Sequence, residues 1–403
     1  MNHSTSEDII IRSLPKEKCH TQSIRKIVWN LHYIDQHLLV NDLMDAFNEN
    51  EHITAVGVVD GDMRIVGIIV RNEISSLLSR PYGRDVLRKK TAGDMCVQAR
   101  VFNIHQNIFS IAEEIDDEMK APGISYYLLE DDNGEYRGIF STKAMLIYLS
   151  NLTTQDIATA RRLQSRVVKE REYIDTDYLE ILASSSPAKG VGGDFYSINK
   201  YSASNWLCCI CDVSGKGVAA SVITSVLWGI MSIYRYERGL KSLVRDLNDT
   251  IVRTFEGEKF VTGVFADFNE ITGKVIICDM GHSHLHVFRN GKLHQLKTNS
   301  SNVPIGIVPD CDPIVNSFQL EEKDILFLLT DGLIEQPGVD AKEYSLSRVE
   351  SAMAEKQHET LELIHEHLTG DFNRFRGKKQ VHDDVTYMLL RFIKSAAESA
   401  PIE

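Results

Sequence analysis

The segment CDVSGKG, residues 211–217, constrains the fold of this chain more than any other stretch. The apolar run WLCCI precedes it and predicts a buried strand, and the apolar run from Val218 to Tyr234 follows it and predicts a helix. Asp212 therefore stands where a strand ends and the backbone turns. A carboxylate and nearby backbone carbonyls are hard oxygen ligands, which suit Mg²⁺ or Mn²⁺. The glycines allow the backbone to approach an ion or a phosphate closely.

Three more acids occupy similar positions at the edges of apolar runs. Asp194 follows GVGG, Asp331 follows ILFLLT, and Asp383 comes shortly before VTYMLLRF. Any one of them is typical of a turn, but the ends of strands in packed sheets converge, and clustered carboxylates repel unless cations compensate them. Without Cys or His partners, such a cluster favours Mg²⁺ or Mn²⁺ over zinc. Two such ions about 4 Å apart can bind a hydroxide and hold a phosphoryl group for in-line attack.

Two other metal sites are open alternatives. His282, His284 and His286 alternate, and on one strand they would face the same side and could bind zinc. Equally, the strand can begin after the Gly281-His282 turn, and His282 is then a candidate general acid. Cys209 and Cys211 are separated by a single residue, which is too close for a typical zinc pair.

Composition excludes some classes of partner. The chain has 403 residues and a net charge of −13, which argues against nucleic acid because phosphate binding needs a basic face. The N-terminus lacks the apolar core of a secretory signal, and we expect the apolar run that follows Gly217 to be a buried core helix and no membrane span. Seven cysteines without framework spacing fit reduced thiols and a cytoplasmic location.

The N-terminal third contains one pattern twice. In each copy a helical segment leads to a strand, a tight turn, a second strand and another helix, with turns at Gly61-Asp62 and Asn133-Gly134. The sequence therefore predicts an internal duplication with a pseudo-twofold axis.

These copies, VVDGDMRIVGIIVRNEI and LLEDDNGEYRGIFSTKAML, resemble a tandem CBS-domain pair. The resemblance implies a regulatory unit that binds adenine nucleotides between the copies. By position it points to Glu73, Gly138 and Ser141 as nucleotide contacts, although Val70 and Ala144 depart from the family's ribose and phosphate pattern. The alternative is a pair that acts only in dimerisation.

Residues 143–174 lack Pro and Gly and predict a helical connector. Six of nine heptad positions between Leu146 and Ile174 are apolar, which is compatible with a two-stranded coiled coil. A single helix packed on its own domain is the alternative.

Together, GGDFYS, CDVSGKG, LLTDGLIEQ and HDDVT are similar to the motifs of the PPM (protein phosphatase 2C-like) family, in its SpoIIE/RsbU-type bacterial branch. The similarity covers residues 160–393. It implies an α+β fold, an αββα sandwich of two mostly antiparallel sheets flanked by helices. It also implies hydrolysis of phosphoserine or phosphothreonine on a protein.

The resemblance assigns roles by position. Asp212 would bridge two ions, the Val213 carbonyl would bind one of them, and Asp331 and Asp383 would complete the shell of the first ion. Asp194 would hold the second ion through water, and we expect the neighbouring Asp384 to orient the site by hydrogen bonding. The chain departs from the family pattern at two places, Ser197 and Asp279-Met280.

We therefore predict a flexible N-terminus (1–20), a regulatory α/β CBS pair (21–150), the helical connector (143–174), a phosphatase domain (175–395) and a tail (396–403). The expected protein is a cytoplasmic homodimer that dephosphorylates a partner protein, by resemblance a STAS-type anti-sigma-factor antagonist. The alternative is a nucleotide-sensing scaffold whose phosphatase-like domain binds its partner without catalysis.

Overall fold

The computed structural model describes residues 10–15, 23–79, 81–298 and 302–393. The predicted tail therefore lies outside the described residues, as does most of the predicted flexible N-terminus. The chain divides into two compact units, residues 1–154 and 155–403. Within the described residues, no helix combines the length and the apolar character needed to cross a bilayer.

The N-terminal unit consists of short strands and helices together with one 3₁₀ turn at Ile24–Ile27. Its strands are β1 (Arg12–Ser13), β2 (His32–Asp35), β3 (Ala55–Val59), β4 (Ile65–Val70), β5 (Val101–Asn103), β6 (Tyr126–Glu130) and β7 (Tyr136–Ser141). Its helices are α1 (Val40–Glu49), α2 (Arg71–Leu78), α3 (Gly83–Leu87), α4 (Ala92–Met95), α5 (Ile108–Glu114), α6 (Asp116–Lys120) and α7 (Thr142–Gln164), which continues across the division between the units.

The predicted repeat is visible in the strand pairing. In the first copy β2 pairs with β3 in parallel and β3 pairs with β4 antiparallel, with α1 between β2 and β3. In the second copy β5, β6 and β7 pair in the same way around α5. Each hairpin also has a register irregularity at the same place, before the turn. The two copies therefore share one topology, including the bulge next to the hairpin turn.

The C-terminal unit holds the remaining elements, with a 3₁₀ turn at Tyr236–Arg238. Its strands are β8 (Arg171–Asp175), β9 (Leu179–Ser186), β10 (Phe195–Lys200), β11 (Asn205–Val213), β12 (Val261–Asn269), β13 (Lys274–Met280), β14 (Leu285–Arg289), β15 (Lys292–Gln295), β16 (Asn316–Gln319), β17 (Ile325–Leu329) and β18 (Val385–Phe392). Its helices are α8 (Val218–Ile233), α9 (Leu240–Phe255), α10 (Asp331–Ile334), α11 (Leu346–Glu355) and α12 (Leu361–Arg376).

Two antiparallel sheets form the C-terminal unit, in the orders β10-β11-β12-β13-β16 and β15-β14-β17-β18-β9-β8. Alternation along β11 shows how they pack: Cys208 and Ile210 join side chains of the other sheet in one core, whereas Cys209 and Cys211 face α8 and α9. A third core lies between the six-stranded sheet and the helices α11 and α12. The predicted αββα sandwich is therefore correct, with one apolar layer between the sheets and one under each helical layer.

Two sequence predictions need correction. The connector helix does not continue to residue 174, because α7 ends at Gln164 and residues 171–175 form strand β8 on the edge of the six-stranded sheet. Pairing with β9 provides hydrogen-bond partners for the backbone of residues 171–175, so these residues form a strand despite their helical sequence pattern. Helix α8 is a core helix along one face only, since Val222 and Ile233 are exposed on the opposite face.

Candidate functional site

The four predicted acids lie at the ends of neighbouring strands in both sheets. Asp194 directly precedes β10, and Asp212 is the penultimate residue of the adjacent β11. In the other sheet, Asp331 opens α10 just after β17, and Asp383 lies two residues before the adjacent β18. The Thr330 hydroxyl donates to Asp194 Oδ2 at 2.8 Å and thereby connects the two sheets at this edge. The structure thus brings the acids together as the sequence predicted.

Asp384 holds the loop that precedes Asp194. Its Oδ1 accepts from the backbone N–H of Ala188 at 2.7 Å, and its Oδ2 accepts from that of Gly193 at 2.5 Å. A Cβ at Gly192 would lie 2.8 Å from Oδ2, so only glycine allows the loop to wrap this carboxylate. Asp384 therefore positions the loop by hydrogen bonding, which is the role that the sequence predicted.

Two backbone approaches explain further glycines near the acids. A Cβ at Gly193 would lie 3.1 Å from the carbonyl oxygen of Val213, the predicted backbone ligand. A Cβ at Gly332 would overlap the carbonyl oxygen of Asp384, so α10 can begin against β18 only with glycine at its second position. Gly193 and Gly332 therefore permit close contact between strand ends.

The acids share an unfavourable electrostatic environment. Burial, together with the neighbouring Asp331, Asp383 and Asp384, raises the pKa of Asp212 to about 7. Burial and the charge of Asp212 hold the pKa of Asp194 well above its ordinary value. Burial also raises the pKa of Asp384, although the backbone N–H groups of its loop oppose that shift. A cation at this edge would relieve the repulsion.

One lysine provides positive charge at this edge. The Lys216 ammonium lies 2.7 Å from Asp383 Oδ2 and also donates to the carbonyl of His382 at 3.4 Å. This ion pair raises the pKa of Lys216. Sequence reasoning missed Lys216, because the residue and its partner Asp383 are 167 positions apart and no local sequence pattern indicates the contact.

The residue types fit Mg²⁺ or Mn²⁺, since the site offers carboxylate oxygens and a backbone carbonyl and no thiol. Among the described residues, however, no three acidic, imidazole or thiol side chains are gathered in the geometry of a finished metal site. The contacts explain this: Asp383 is turned toward Lys216 and Asp194 accepts from Thr330. The donors are therefore adjacent but held by protein partners.

Gln164, the last residue of α7, is buried beside the same loop. Its Nε2 donates to the carbonyl of Gly192 at 2.7 Å and lies 3.2 Å from the Thr224 hydroxyl, and its Oε1 accepts from the Gly192 N–H at 2.9 Å. Gln164 therefore joins the end of α7 to the loop before Asp194 and to α8. Sequence reasoning did not identify this residue.

The three histidines do not form a zinc site. His282 precedes β14 in a turn where Gly281 and Ser283 have positive φ. Its Nε2 bonds to the carbonyl of Leu329 at 2.8 Å, and since a carbonyl only accepts, Nε2 carries the proton. Nδ1 bonds to Thr262 at 3.2 Å, and burial lowers the pKa of His282 to about 4. His282 is therefore neutral, and both ring nitrogens are hydrogen-bonded within the protein. Its role as a general acid stays a prediction.

The N-terminal unit contains a cavity of about 470 Å³. Its lining includes Trp29 and Tyr126, whose ring centroids lie 6.1 Å apart, and the two lysines Lys26 and Lys143. Ser141 also lines the cavity.

Neither of the other two predicted nucleotide contacts lines this cavity. Gly138 packs against Val28 and Asn30 in the core of the unit, where a Cβ would lie 2.6 Å from Val28 Cγ1. Glu73 lies in the first turn of α2. Ser141 ends β7 as Val70 ends β4, so Glu73 and Ser141 belong to different copies and do not occupy corresponding positions. Nucleotide contact by Glu73, Gly138 and Ser141 stays a prediction.

Comparison with known proteins agrees with this division. Residues 202–393 match the family model "Stage II sporulation protein E (SpoIIE)", and residues 24–80 match the CBS domain model. The phosphoserine phosphatase RsbP of Bacillus subtilis (strain 168) is 24% identical over 190 residues, which are 45% of this chain and 46% of that protein. The chain thus spans about half the length of this curated relative.

Among solved structures, the SiaA-PP2C domain of Pseudomonas aeruginosa aligns with a TM-score of 0.51 and 16% identity, covering 60% of this chain and 98% of that one. The phosphatase domain of SpoIIE from Bacillus subtilis with a fragment of its regulatory domain aligns at 0.44 and 22% identity, covering 55% and 65%. The likeness to the SiaA domain shows a shared fold. Residues 202–393 are therefore similar to a SpoIIE-type phosphatase domain, and residues 24–80 are similar to a CBS domain.

Proposed function

We propose that the chain is a metal-dependent protein serine/threonine phosphatase regulated by its N-terminal unit. The convergence of Asp212 with Asp331 and Asp383 carries this proposal, because burial and the neighbouring like charges together raise the pKa of Asp212, as expected of a site that binds cations. The matched family and the name of the curated relative support the reaction class.

Each acid has a distinct part in the proposal. Asp212 would bridge two Mn²⁺ or Mg²⁺ ions, with the Val213 carbonyl, Asp331 and Asp383 as further ligands and Asp194 acting through water. When bound, the ions would supply an activated water and neutralise the phosphoryl charge. Asp384 keeps the loop before Asp194 in place through two backbone amides.

The substrate class follows from the family alone. We propose a phosphoserine or phosphothreonine protein, in particular a STAS-type anti-sigma-factor antagonist, and a cytoplasmic homodimer. The scaffold reading, in which the domain binds its partner without catalysis, is disfavoured by the retained acids. If partner binding were the only role of the domain, these acids would not need to cluster at such an electrostatic cost.

The test is phosphate release from a phosphoserine protein by the full chain, with and without Mn²⁺. Asp212→Asn should abolish the Mn²⁺-dependent release, because the bridging carboxylate is lost. Asp340→Asn is a matched control, an exposed aspartate of the same domain. Equal rates in wild type and Asp212→Asn would remove the enzymatic assignment and leave the scaffold reading.

Regulation would act through α7. Gln164 at its end bonds the loop before Asp194 and reaches Thr224 of α8, which begins five residues after Val213. A change at the N-terminal end of α7 could therefore alter the positions of Asp194 and Val213. A second chain paired along α7 in a coiled coil would offer two registers of similar energy.

The N-terminal cavity is the proposed sensor. Trp29 and Tyr126 offer aromatic faces to a base, and Lys26, Lys143 and Ser141 offer donors to phosphates. An adenine nucleotide fits this chemistry, with Ala144 leaving the ribose hydroxyls without an acidic partner. Calorimetry with ATP, ADP and AMP should give heat for at least one; no heat with all three would leave only dimerisation for this unit.

A further inference from the structure

Lys216 occupies an unusual position for a cation. It directly precedes Gly217, the N-cap residue of α8, and the first turn of that helix contains no acid to offset its charge. The positive end of the helix dipole disfavours a cation there, so the lysine does not serve helix stability. Gly215 and Gly217 on either side have φ of +92° and +80°, conformations that free the lysine loop from regular structure.

The contacts of the side chain give it a different purpose. Its ammonium bonds Asp383 Oδ2 at 2.7 Å, and through the same nitrogen it reaches the carbonyl of His382. Within the part of the chain that the structure describes, no other Lys, Arg or His forms an ion pair with any of the five acids at this edge. Lys216 is therefore the charge that offsets the crowded carboxylates.

The carboxylate that Lys216 holds is one that the proposed function assigns to an ion. A divalent cation needs an oxygen lone pair of Asp383 that points toward it, and the ammonium now uses Oδ2. The Lys216 ammonium and a divalent ion cannot both bind this carboxylate without an energetic cost, because two cations at short range repel each other. With 44% of its side chain exposed, Lys216 has solvent into which it can turn.

Lys259 has a separate role and helps to define that of Lys216. Its ammonium donates to the Ser214 carbonyl at 3.2 Å, and the Ser214 hydroxyl accepts from the Phe260 N–H at 2.9 Å. The loop is thus anchored at Ser214, and Lys216, two residues further along the chain, contacts Asp383.

We propose that Lys216 is a built-in counter-ion that holds Asp383 in the metal-free protein and gives up this carboxylate when a divalent ion binds. The inference rests on the proposed function, because it requires an ion at Asp383. It makes Lys216 a positioning residue that sets the metal concentration at which the site fills, since binding must first break the ion pair.

The test is calorimetric titration of the full-length protein with Mn²⁺ alone, for wild type and Lys216→Met. Loss of the competing ammonium should tighten Mn²⁺ binding about five- to tenfold, the scale of a partly exposed charged hydrogen bond. Lys216→Arg keeps the charge and should bind Mn²⁺ within about twofold of wild type. Lys169→Gln, which removes a lysine paired with Glu172 elsewhere in the domain, is the matched control.

A second readout is the melting temperature in metal-free buffer. Lys216→Met should lower it, because the acids lose their counter-ion, and Mn²⁺ should then raise it more than in wild type. Equal Mn²⁺ affinity in wild type and Lys216→Met, or weaker affinity in the variant, would overturn the proposal that Lys216 is a counter-ion that competes with the metal. A wild-type protein that binds no Mn²⁺ would instead overturn the proposed function, so the two failures are distinguishable.

Discussion

The acidic edge of the C-terminal unit and the cavity of the N-terminal unit are built in opposite ways. The edge gathers five aspartates with one lysine, and its ligands sit on strand ends fixed by backbone bonds. The cavity is lined by aromatic side chains and two lysines, and no Asp or Glu is among the described residues of its lining. The first suits cations and the second suits an anion with an aromatic part, so the two sites are expected to answer to different ligands.

The largest expected effect comes from Asp331→Asn. Its phosphatase activity should fall by about 10²-fold or more, the scale of a lost electrostatic contribution to a transition state. The variant should fold normally and resist urea at least as well as wild type in metal-free buffer, because one repelling charge is gone. Activity assays and urea unfolding monitored by circular dichroism check both. Marked unfolding of the metal-free variant would contradict the picture of a crowded acidic edge.

Strand-end acids were predictable because each is a local signal: an apolar run that ends at an aspartate. Asp212 and Asp331 needed only their own neighbours in sequence to be noticed. Lys216 and Gln164 were not predictable as contacts, since their partners lie 167 and 28 positions away and an exposed lysine or a terminal glutamine is ordinary. The order of the strands, which brings those partners together, is a property of the whole fold.

The same limit applies to Gly138 in the N-terminal unit and explains the error in the connector. Gly138 matched a ligand-binding pattern, but its lack of a side chain serves close packing against Val28. Residues 171–175 matched a heptad, but the free edge of β9 offered backbone bonds that a helix could not outweigh. Hydrophobic spacing describes one segment, whereas both outcomes were decided by a neighbouring segment.

Gln164→Ala tests whether the acidic edge depends on α7. Removing the amide leaves the Gly192 N–H and carbonyl without their partner, which should reduce the free energy of unfolding by about 2 kcal/mol. It should also lower activity, because the loop before Asp194 loses an anchor. Chemical denaturation and the phosphatase assay measure the two effects.

Gln295→Ala serves as the control for that experiment. Gln295 is an exposed glutamine of the same domain that donates to the Ser283 carbonyl. Its substitution should change stability and activity little. If Gln164→Ala behaves like Gln295→Ala in both measurements, the link between α7 and the acidic edge is absent.

The metal-free protein should lose stability as the pH rises toward neutrality. The pKa of Asp212 is about 7 when folded and ordinary when unfolded, so between these values the folded state binds more protons. Its contribution therefore favours folding at low pH and disappears as the pH passes about 7. We expect Asp212→Asn to flatten the decline by about 2 kcal/mol between pH 5 and pH 8. Thermal unfolding of both proteins across this pH range, in the presence of a chelator, measures the decline in stability. The same dependence of stability on pH in wild type and Asp212→Asn would contradict a raised pKa of Asp212 in the folded protein.

The cavity gives the smallest predicted effect. Trp29→Ala should weaken binding of the nucleotide that gives the strongest heat by about tenfold, the contribution of one stacked base. Mn²⁺ binding at the acidic edge should stay unchanged, which separates the two sites. Tyr82→Ala, an aromatic residue of the same unit that is 80% exposed, is the control. Equal nucleotide affinity in both variants would exclude stacking on Trp29.

The most direct test of the acidic edge is the number of Mn²⁺ ions bound by the full-length protein at about pH 8, where the carboxylates are ionised. We predict two ions per chain for wild type and the loss of at least one in Asp212→Asn, with Asp340→Asn unchanged. No Mn²⁺ bound by wild type, or the same number bound by Asp212→Asn, would contradict the account that these strand-end aspartates form one cation site.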